Sequence, residues 1–590
     1  MTTARDPLEV LQKSFGLTSF RPHQEDAIRA VLAGRDVLAT MPTGAGKSLI
    51  YQLPALCLDG LVLVISPLIA LMKDQVDALQ KRGVRAAYVN SSVSSKQRAA
   101  RLQAAVDGKL DLLFITPERF RSKAFQELEK HLPVARLAVD EAHCISQWGH
   151  DFRPDYSRLG LYKKRLGNPP TIALTATATE RVARDITSAL DLDNPHIVRT
   201  GIERPNLYLG FERIFLAEEK IPHLAKRIRA LPGPGIVYST LIRDLEDLHD
   251  ELARMGIPSL VYHGKLSPQE RRSMQERFMA SDESNPAIVL ATNAFGMGVD
   301  KADIRFVLHA QVPRTIEAWT QEVGRAGRDG KPSFCETLFF PEDLAVQQEF
   351  VRWANPDREF VLSVWSILES WGERVATKDQ GDLVSELLVK NRRDNRAGIS
   401  LRWLEVVGAI HGSFERHDLR VNPAFMPSDL PAFVGSAEKL DGDLKGLLKL
   451  ATLASNDEPC IRTSLAAHFD LDATEQPCCA CNACITAEAW LAENLPAHSP
   501  QESPAPTASP AVNPVVGTEQ GTKITPSRDS SSGTQPLQRG DWIQVGQHGL
   551  ARILKVEGTP PRTRITIEDA TSLKRRTLDP SRVRIRRIEG

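Results

Sequence analysis

Val37-Leu38-Ala39-Thr40-Met41-Pro42-Thr43-Gly44-Ala45-Gly46-Lys47-Ser48-Leu49-Ile50-Tyr51 reads as a short apolar strand, a glycine loop, Gly-Lys-Ser and the start of a helix. Glycines let backbone N–H groups wrap phosphates, a lysine at this place reaches the β and γ oxygens, and the serine hydroxyl suits Mg²⁺. The strict P-loop pattern has a glycine five positions before Gly46, where this chain has Met41. Outward from the loop, apolar strand runs alternate with helical patterns up to about residue 345: Leu61–Ile65, Leu112–Ile115, Ile236–Tyr238, Ala287–Leu290 and Phe306–Leu308. Short continuous apolar runs between helices predict an α/β fold with parallel sheets buried on both faces.

Asp140-Glu141 follows another such run, Leu137-Ala138-Val139. Carboxylates at the end of a buried strand are where a nucleotide-hydrolysing site expects them. Asp140 is expected to hold Mg²⁺ through water, and Glu141 to orient and deprotonate the attacking water. The segment then runs on as Ala142-His143-Cys144-Ile145-Ser146-Gln147-Trp148-Gly149-His150-Asp151-Phe152-Arg153-Pro154. Trp148 and Phe152 suit base stacking and Arg153 suits a phosphate. One loop would then join nucleotide chemistry to a nucleic-acid strand, which is the design of a motor.

Taken together, these motifs resemble the RecQ family of superfamily 2 DNA helicases, over residues 8–345 and a cysteine cluster at 460–484. The resemblance implies two RecA-like lobes with parallel sheets and a helical zinc-binding module. Phe15-Gly16 with Phe20-Arg21-Pro22-His23-Gln24 is similar to the adenine-recognition motif, with Gln24 on the adenine edge and Arg21 against the base. Leu17 stands where some members carry an aromatic ring. Met41 through Ser48 matches the helicase form of the P-loop, so that Thr43, Gly44, Ala45, Gly46, Lys47 and Ser48 bind nucleotide, joined by Asp300. Ala45 replaces a glycine usual in the family.

Ser66–Gln75 and Thr116–Arg119 resemble segments that touch the DNA backbone, and Thr175-Ala176-Thr177-Ala178 the motif that couples the lobes. Thr292–Lys301 and Gln321–Arg328 match the second-lobe motifs. Arg325 and Arg328, three apart, are expected on one helix face, both approaching the γ-phosphate with Arg328 as the arginine finger. His143, Gln147, Trp148, Phe152 and Arg153 would couple DNA to the ATP site. The implied activity is an ATP-dependent 3′→5′ DNA helicase acting on single-stranded and forked DNA in repair and recombination, with ATP, Mg²⁺ and Zn²⁺ as cofactors.

The expected organisation is a first lobe at 1–205, a second at 206–345, a helical insert and four-cysteine zinc module at 346–494, a disordered linker at 495–537 and a small basic β-barrel at 538–590. Arg204-Pro205-Asn206 is the expected lobe junction. Arg328 and Cys460 are 132 positions apart, more than the family spacing. Within the extra segment, Ile399–Val407 reads as a helix and Phe414–Val421 as a strand or wing. A winged helix and a helical spacer packed on the second lobe are both open readings.

Cys57, Cys144 and Cys335 are solitary and read as small apolar residues. Cys478-x-x-Cys481-x-x-Cys484 offers three thiolates on a tight loop and Cys460 a fourth. In a cytosolic setting this favours metal over disulfide; the resemblance implies zinc, with an iron–sulfur cluster or redox use as alternatives, and Cys479 left out. The Pro/Ser/Thr/Gly-rich stretch before the tail has few large apolar residues. From Arg539 onward there are 12 Lys/Arg against 6 Asp/Glu. Its start is similar to the Tudor-like barrel ending some superfamily 1 helicases, which touches RNA polymerase; a basic barrel binding DNA and a passive solubilising module are the competing readings of the tail, and the chain's expected protein partners are a single-strand-binding protein or RNA polymerase.

Net charge is zero over 590 residues, so a globally basic nucleic-acid binder is excluded, though not a local basic track. No run approaches a membrane span, and the start Met-Thr-Thr-Ala-Arg-Asp has no apolar signal core. The expected location is the cytoplasm, on the nucleoid in a bacterium. Competing readings are a translocase or strand-annealing factor without processive unwinding, an RNA-directed motor, and a polymerase-binding adaptor built around the tail.

Overall fold

The computed structural model describes residues 5–149, 151–296, 299–387, 394–455, 459–472 and 477–495, and strands at 542–545, 550–557, 564–569, 575–578 and 585–587. The expected linker at 495–537 lies outside them, apart from residue 495, as do His150, Met297 and Gly298.

The first lobe has seven strands: β1 (Val37–Thr40), β2 (Leu61–Ile65), β3 (Ala86–Val89), β4 (Leu112–Ile115), β5 (Val134–Val139), β6 (Thr171–Thr175) and β7 (His196–Arg199). Their order is β3-β4-β2-β5-β6-β1-β7 and every pairing is parallel. Leu61–Ile65 is apolar throughout because helices cover both faces of the sheet, leaving a core on each side. The order sets β1, β6 and β5 side by side. Their carboxyl ends therefore deliver the glycine loop, Thr175 and Asp140 to one crevice, the usual ligand position of such a sheet.

The second lobe comprises β8 (Leu207–Arg213), β9 (Gly235–Tyr238), β10 (Leu260–Tyr262), β11 (Ile288–Ala291), β12 (Phe306–His309) and β13 (Ser333–Phe339), ordered β10-β11-β9-β12-β13-β8 and again parallel. Both lobes are RecA-like in this sense. In the second, Thr315 caps the helix Ile316–Val323 by accepting from Ala318 N, and so sets where that helix begins.

After the second lobe come the helices Arg358–Trp371, Gln380–Glu386 and Arg396–Val406, then a hairpin of β14 (Ile410–His411) and β15 (Arg420–Val421). The strand expected at 414–421 is confined to its last two residues, because Phe414–Arg416 forms a 3-10 turn. This segment has its own core, with Val361, Trp365, Leu368, Trp371, Leu404 and Phe425 among its members. The helices Ala437–Ser455 and Ile461–His468 instead pack into the second-lobe core.

The tail forms a separate unit. Its strands are β16 (Trp542–Val545), β17 (Leu550–Glu557), β18 (Arg564–Asp569), β19 (Arg575–Leu578) and β20 (Ile585–Arg587), all paired antiparallel in the order β19-β18-β17-β16-β20. No pairing joins β19 to β20 among the described residues, so an open five-stranded sheet stands where a closed barrel was expected. No described helix is long and apolar enough to cross a membrane.

Candidate nucleotide and nucleic-acid site

The glycine loop turns through two left-handed residues, Gly44 at φ 86° and Gly46 at φ 81°. Lys47 Nζ donates to Met41 O at 3.0 Å and Pro42 O at 3.4 Å, folding the lysine over the loop. Burial lowers its pKa, the Glu141 and Asp140 carboxylates raise it, and Arg328 lowers it. Ser48 Oγ accepts from Gln75 Nε2 at 3.1 Å, and Gln75 Oε1 in turn accepts from Gln52 and Tyr51. Gln75 was expected on DNA; it stands on the magnesium-ligand candidate instead, at the opposite side of the helix Ile69–Lys81 from solvent.

Arg21 and Gln24 also face the loop. Gln24 Nε2 donates to Ala45 O (3.0 Å) and Gly46 O (3.2 Å), its Oε1 accepts from Arg21 N (2.8 Å), and the Arg21 guanidinium donates to Gly44 O. Their recognition groups thus brace the phosphate cradle. A Cβ added at Gly46 would lie 2.4 Å from Gln24 Nε2. Gly46→Ala is therefore expected to weaken nucleotide binding about tenfold, since left-handed backbone costs a residue with a Cβ about 1–2 kcal/mol. Titration with a fluorescent ATP analogue reads it; wild-type affinity would show that the loop absorbs the methyl.

At the end of β5, Asp140 N donates to Ile65 O at 2.9 Å and Glu141 turns into the left-handed region at φ 50°. Asp140 Oδ1 accepts from Glu141 N at 3.1 Å. Burial, then the neighbouring Glu141 charge, push the Asp140 carboxyl up to about 7, against the pull of Lys47. A buried carboxyl raised by a neighbouring negative charge fits a cation held at Asp140. His143 is buried, with Nδ1 2.9 Å from Thr175 Oγ1 and 3.4 Å from Glu141 Oε2. Thr175 Oγ1 also accepts from Thr177 N at 3.3 Å, so a short polar chain runs from Glu141 to the Thr175-Ala176-Thr177 segment.

The helix-face expectation for Arg325 and Arg328 does not hold. The helix stops at Val323, Gly324 to Gly330 is a run of turns, and Gly327 sits at φ 54°. Two glycines and a left-handed step end the helix, and the arginines part company. Arg325 donates to Gly296 O, while Arg328 Nη1 pairs with Asp300 Oδ1 at 2.6 Å. Arg328 lies over the P-loop: a Cβ at Gly44 would meet its Cγ at 3.3 Å. Its own pKa is lowered by burial and by Arg325.

Arg204 was read only as part of a junction, yet it binds the two lobes together. Nη1 donates to Thr43 O (3.2 Å) and Gly324 O (3.1 Å), Nη2 to Ala326 O and Gly327 O (both 2.7 Å). All four acceptors are carbonyls, which leave no residue-type signature in the sequence.

The rings of the aromatic loop already have partners within the protein. Arg181 lies 3.7 Å over the Trp148 ring, and Trp148 Cζ3 abuts Gly442, where a Cβ would lie 2.5 Å away. Phe152 stacks on Trp403 with centroids 5.4 Å apart and planes at 24°. Arg153 pairs with Asp151 at 2.9 Å and donates to Pro67 O at 3.4 Å, which links it to the Ser66–Gln75 segment. Arg158 donates to Val406 O at 2.6 Å and Arg121 pairs with Glu405 at 2.7 Å. The helix Arg396–Val406 is thereby seated on the first lobe beside Thr116–Arg119.

The four cysteines come together as expected. Sγ–Sγ distances are 3.5 Å for Cys481–Cys484, 3.8 Å for Cys481–Cys460 and 3.9 Å for Cys478–Cys484, and all four sulfurs lie within 4.8 Å of one another. Zn–S bonds of about 2.3 Å in a tetrahedron give S···S edges of about 3.8 Å, so the donor set fits zinc. Cys479 points away, its Sγ towards Pro477 O. The loop extends the edge of the second-lobe sheet, Leu209 N donating to Ala480 O (3.0 Å) and Asn482 N to Leu209 O (3.2 Å). Arg462 then clamps Arg204 O and Leu207 O, both at 2.8 Å.

A P-loop and acidic pair on one parallel lobe, met across a cleft by arginines from another, define a two-lobed superfamily 2 helicase. Residues 21–186 match the DEAD/DEAH box helicase family and residues 219–330 the helicase conserved C-terminal domain. The chain is 42% identical over 370 residues to the probable ATP-dependent DNA helicase RecS of Bacillus subtilis, covering 62% of this chain and 73% of that one. It is 44% identical to the ATP-dependent DNA helicase RecQ of the same organism (58% of this chain, 57% of that one) and 42% identical to that of Haemophilus influenzae (58% and 55%). The chain belongs to the RecQ family of ATP-dependent DNA helicases. It spans little more than half the length of these two RecQ relatives.

Proposed function

We propose that the protein hydrolyses ATP in the cleft between its lobes to move 3′→5′ along single-stranded DNA and open forked duplexes during repair and recombination. Lys47 and Arg328 hold the charge of the γ-phosphate from opposite lobes, with Arg325 setting the turn that carries Arg328. Glu141 takes the proton of the attacking water, positioned by His143. Ser48 and Asp140 would hold Mg²⁺, which when bound neutralises charge on the β and γ oxygens. Arg21 and Gln24 shape the loop beneath the nucleotide. Cys460, Cys478, Cys481 and Cys484 would hold a structural Zn²⁺. The observation that carries the reading is Arg328 of one lobe lying over Gly44 of the other, beside Lys47 and Asp140.

The order of three helices and a hairpin over 358–421, around a core of its own, supports a winged-helix unit inserted ahead of the cysteines. The tail, with its open five-stranded antiparallel sheet, is read as a contact module for RNA polymerase or DNA.

Coupling runs through Trp148. Its ring is held between Arg181 and the helix Ala437–Ser455, so a strand that shifts the loop shifts His143 and Glu141 with it. Trp148→Ala is expected to lower the ratio of DNA-stimulated to DNA-free ATP turnover by about five- to a hundredfold, the scale of one lost aromatic contact of about 1–3 kcal/mol. Strand displacement on duplexes with a 3′ or a 5′ tail tests the direction. A wild-type stimulation ratio in Trp148→Ala would end the coupling idea, and a preference for the 5′ tail would reverse the polarity.

A further inference from the structure

A cavity of about 130 Å³ opens where the aromatic loop, the second lobe and the insert meet. Three aromatic rings bound it. Phe152 comes from the loop and Trp403 from the helix Arg396–Val406, stacked on each other; Phe433 meets Trp403 edge to face, with centroids 5.5 Å apart at 65°. Phe433 is 40% exposed, so this wall is open to solvent on one side. The second lobe contributes Arg314, just ahead of the helix Ile316–Val323.

Arg314 is the unusual member. Burial depresses its pKa, and only the more distant charges of Asp443 and Asp151 support it. It makes no hydrogen bond or ion pair among the described residues. Asp443 is already engaged, by Lys439 and by Asn355 Nδ2 at 2.9 Å. Asp151 is engaged by Arg153. A half-buried guanidinium with no hydrogen bond or ion pair among the described residues, beside an aromatic wall, suits a planar ring joined to a phosphate. The volume admits one base-sized group, and a base inside a duplex has no free face to offer.

We propose that this cavity takes one unstacked nucleotide of single-stranded DNA, its base against Trp403 and Phe433 and its phosphate on Arg314. The proposal rests on the helicase reading and adds to it a grip that the inserted segment completes. The phosphate is held by the second lobe and the ring by the insert seated on the first. Relative motion of the lobes then tightens or releases that one nucleotide.

Single-stranded oligonucleotides carrying one 2-aminopurine, moved position by position, test this on the full chain. Quenching is expected to peak at a single position in the wild type, to vanish in Trp403→Ala and to persist in Trp403→Phe. Arg314→Gln, which leaves the ring wall in place, is expected to weaken strand binding about tenfold and to lower the slope of log affinity against log salt by about 0.7, one phosphate contact. Uniform quenching along the strand overturns the proposal, as does a wild-type profile with wild-type salt slope in Trp403→Ala and Arg314→Gln. So does displacement of the quenched strand by micromolar deoxynucleoside monophosphate, which would assign the cavity to a free nucleotide. Failure of the parent reading looks different: added strands then leave ATP turnover of the wild type unchanged.

Discussion

Lys47→Ala is expected to lower DNA-stimulated phosphate release by about a hundred- to a thousandfold, the range found when one preorganised charge stabiliser is removed from a transition state, and to abolish strand separation with it. The lysine is the only ammonium among the groups that perturb Asp140, and it opposes both burial and the Glu141 charge there. Without it the carboxyl of Asp140 rises further and Mg²⁺ is held less well. No neighbour replaces it: Arg328 comes from the other lobe and already has its own place at the γ-phosphate, and Arg204 is committed to four carbonyls. Because Lys47 rests on Met41 O and Pro42 O, its loss also frees the first turn of the loop. Phosphate release at saturating single-stranded DNA reads the effect. Turnover within tenfold of wild type would remove Lys47 from the mechanism.

What could be read from the sequence follows from how local the chemistry is. The glycine loop and Asp140-Glu141 are each written within a few residues of a strand end, and the strand order brings them together because β1, β6 and β5 are neighbours. The cysteines were legible because their spacing is itself the site. Reading failed where a partner is a backbone carbonyl or a distant ring. Gln24 and Arg204 end on carbonyls, which any residue supplies. Phe152 finds Trp403 across the insert, and nothing near either residue announces the other. The shared helix face for Arg325 and Arg328 failed for a different reason: a spacing of three means a face only while the helix lasts, and Gly324 and Gly327 end it.

Cys481→Ser is expected to abolish metal binding by the four-cysteine cluster and to unfold the segment around 460–494, while nucleotide binding in the first lobe persists. A structural zinc contributes about 10–16 kcal/mol of coupled binding and folding, as much as the whole stability of a typical domain, about 5–15 kcal/mol. Cys481 is the buried member of the four and the one whose strand segment pairs with Leu209 at the edge of the second-lobe sheet. Its neighbours Ile461, Leu465 and Phe469 belong to the second-lobe core, so the loss reaches that lobe's packing. Through Arg462 it also reaches Arg204 O, and so the clamp that spans from Thr43 to the arginine turn. DNA-stimulated turnover should therefore fall although no group at the phosphate cradle has changed. Cys479→Ser is the matched control, since that thiol is exposed and turned away; it should keep one zinc per chain and the wild-type pattern of limited proteolysis. Metal analysis, proteolysis and binding of a fluorescent ATP analogue separate these outcomes. A Cys481→Ser protein that lacks metal yet resists protease as the wild type does would show that packing alone sustains the module.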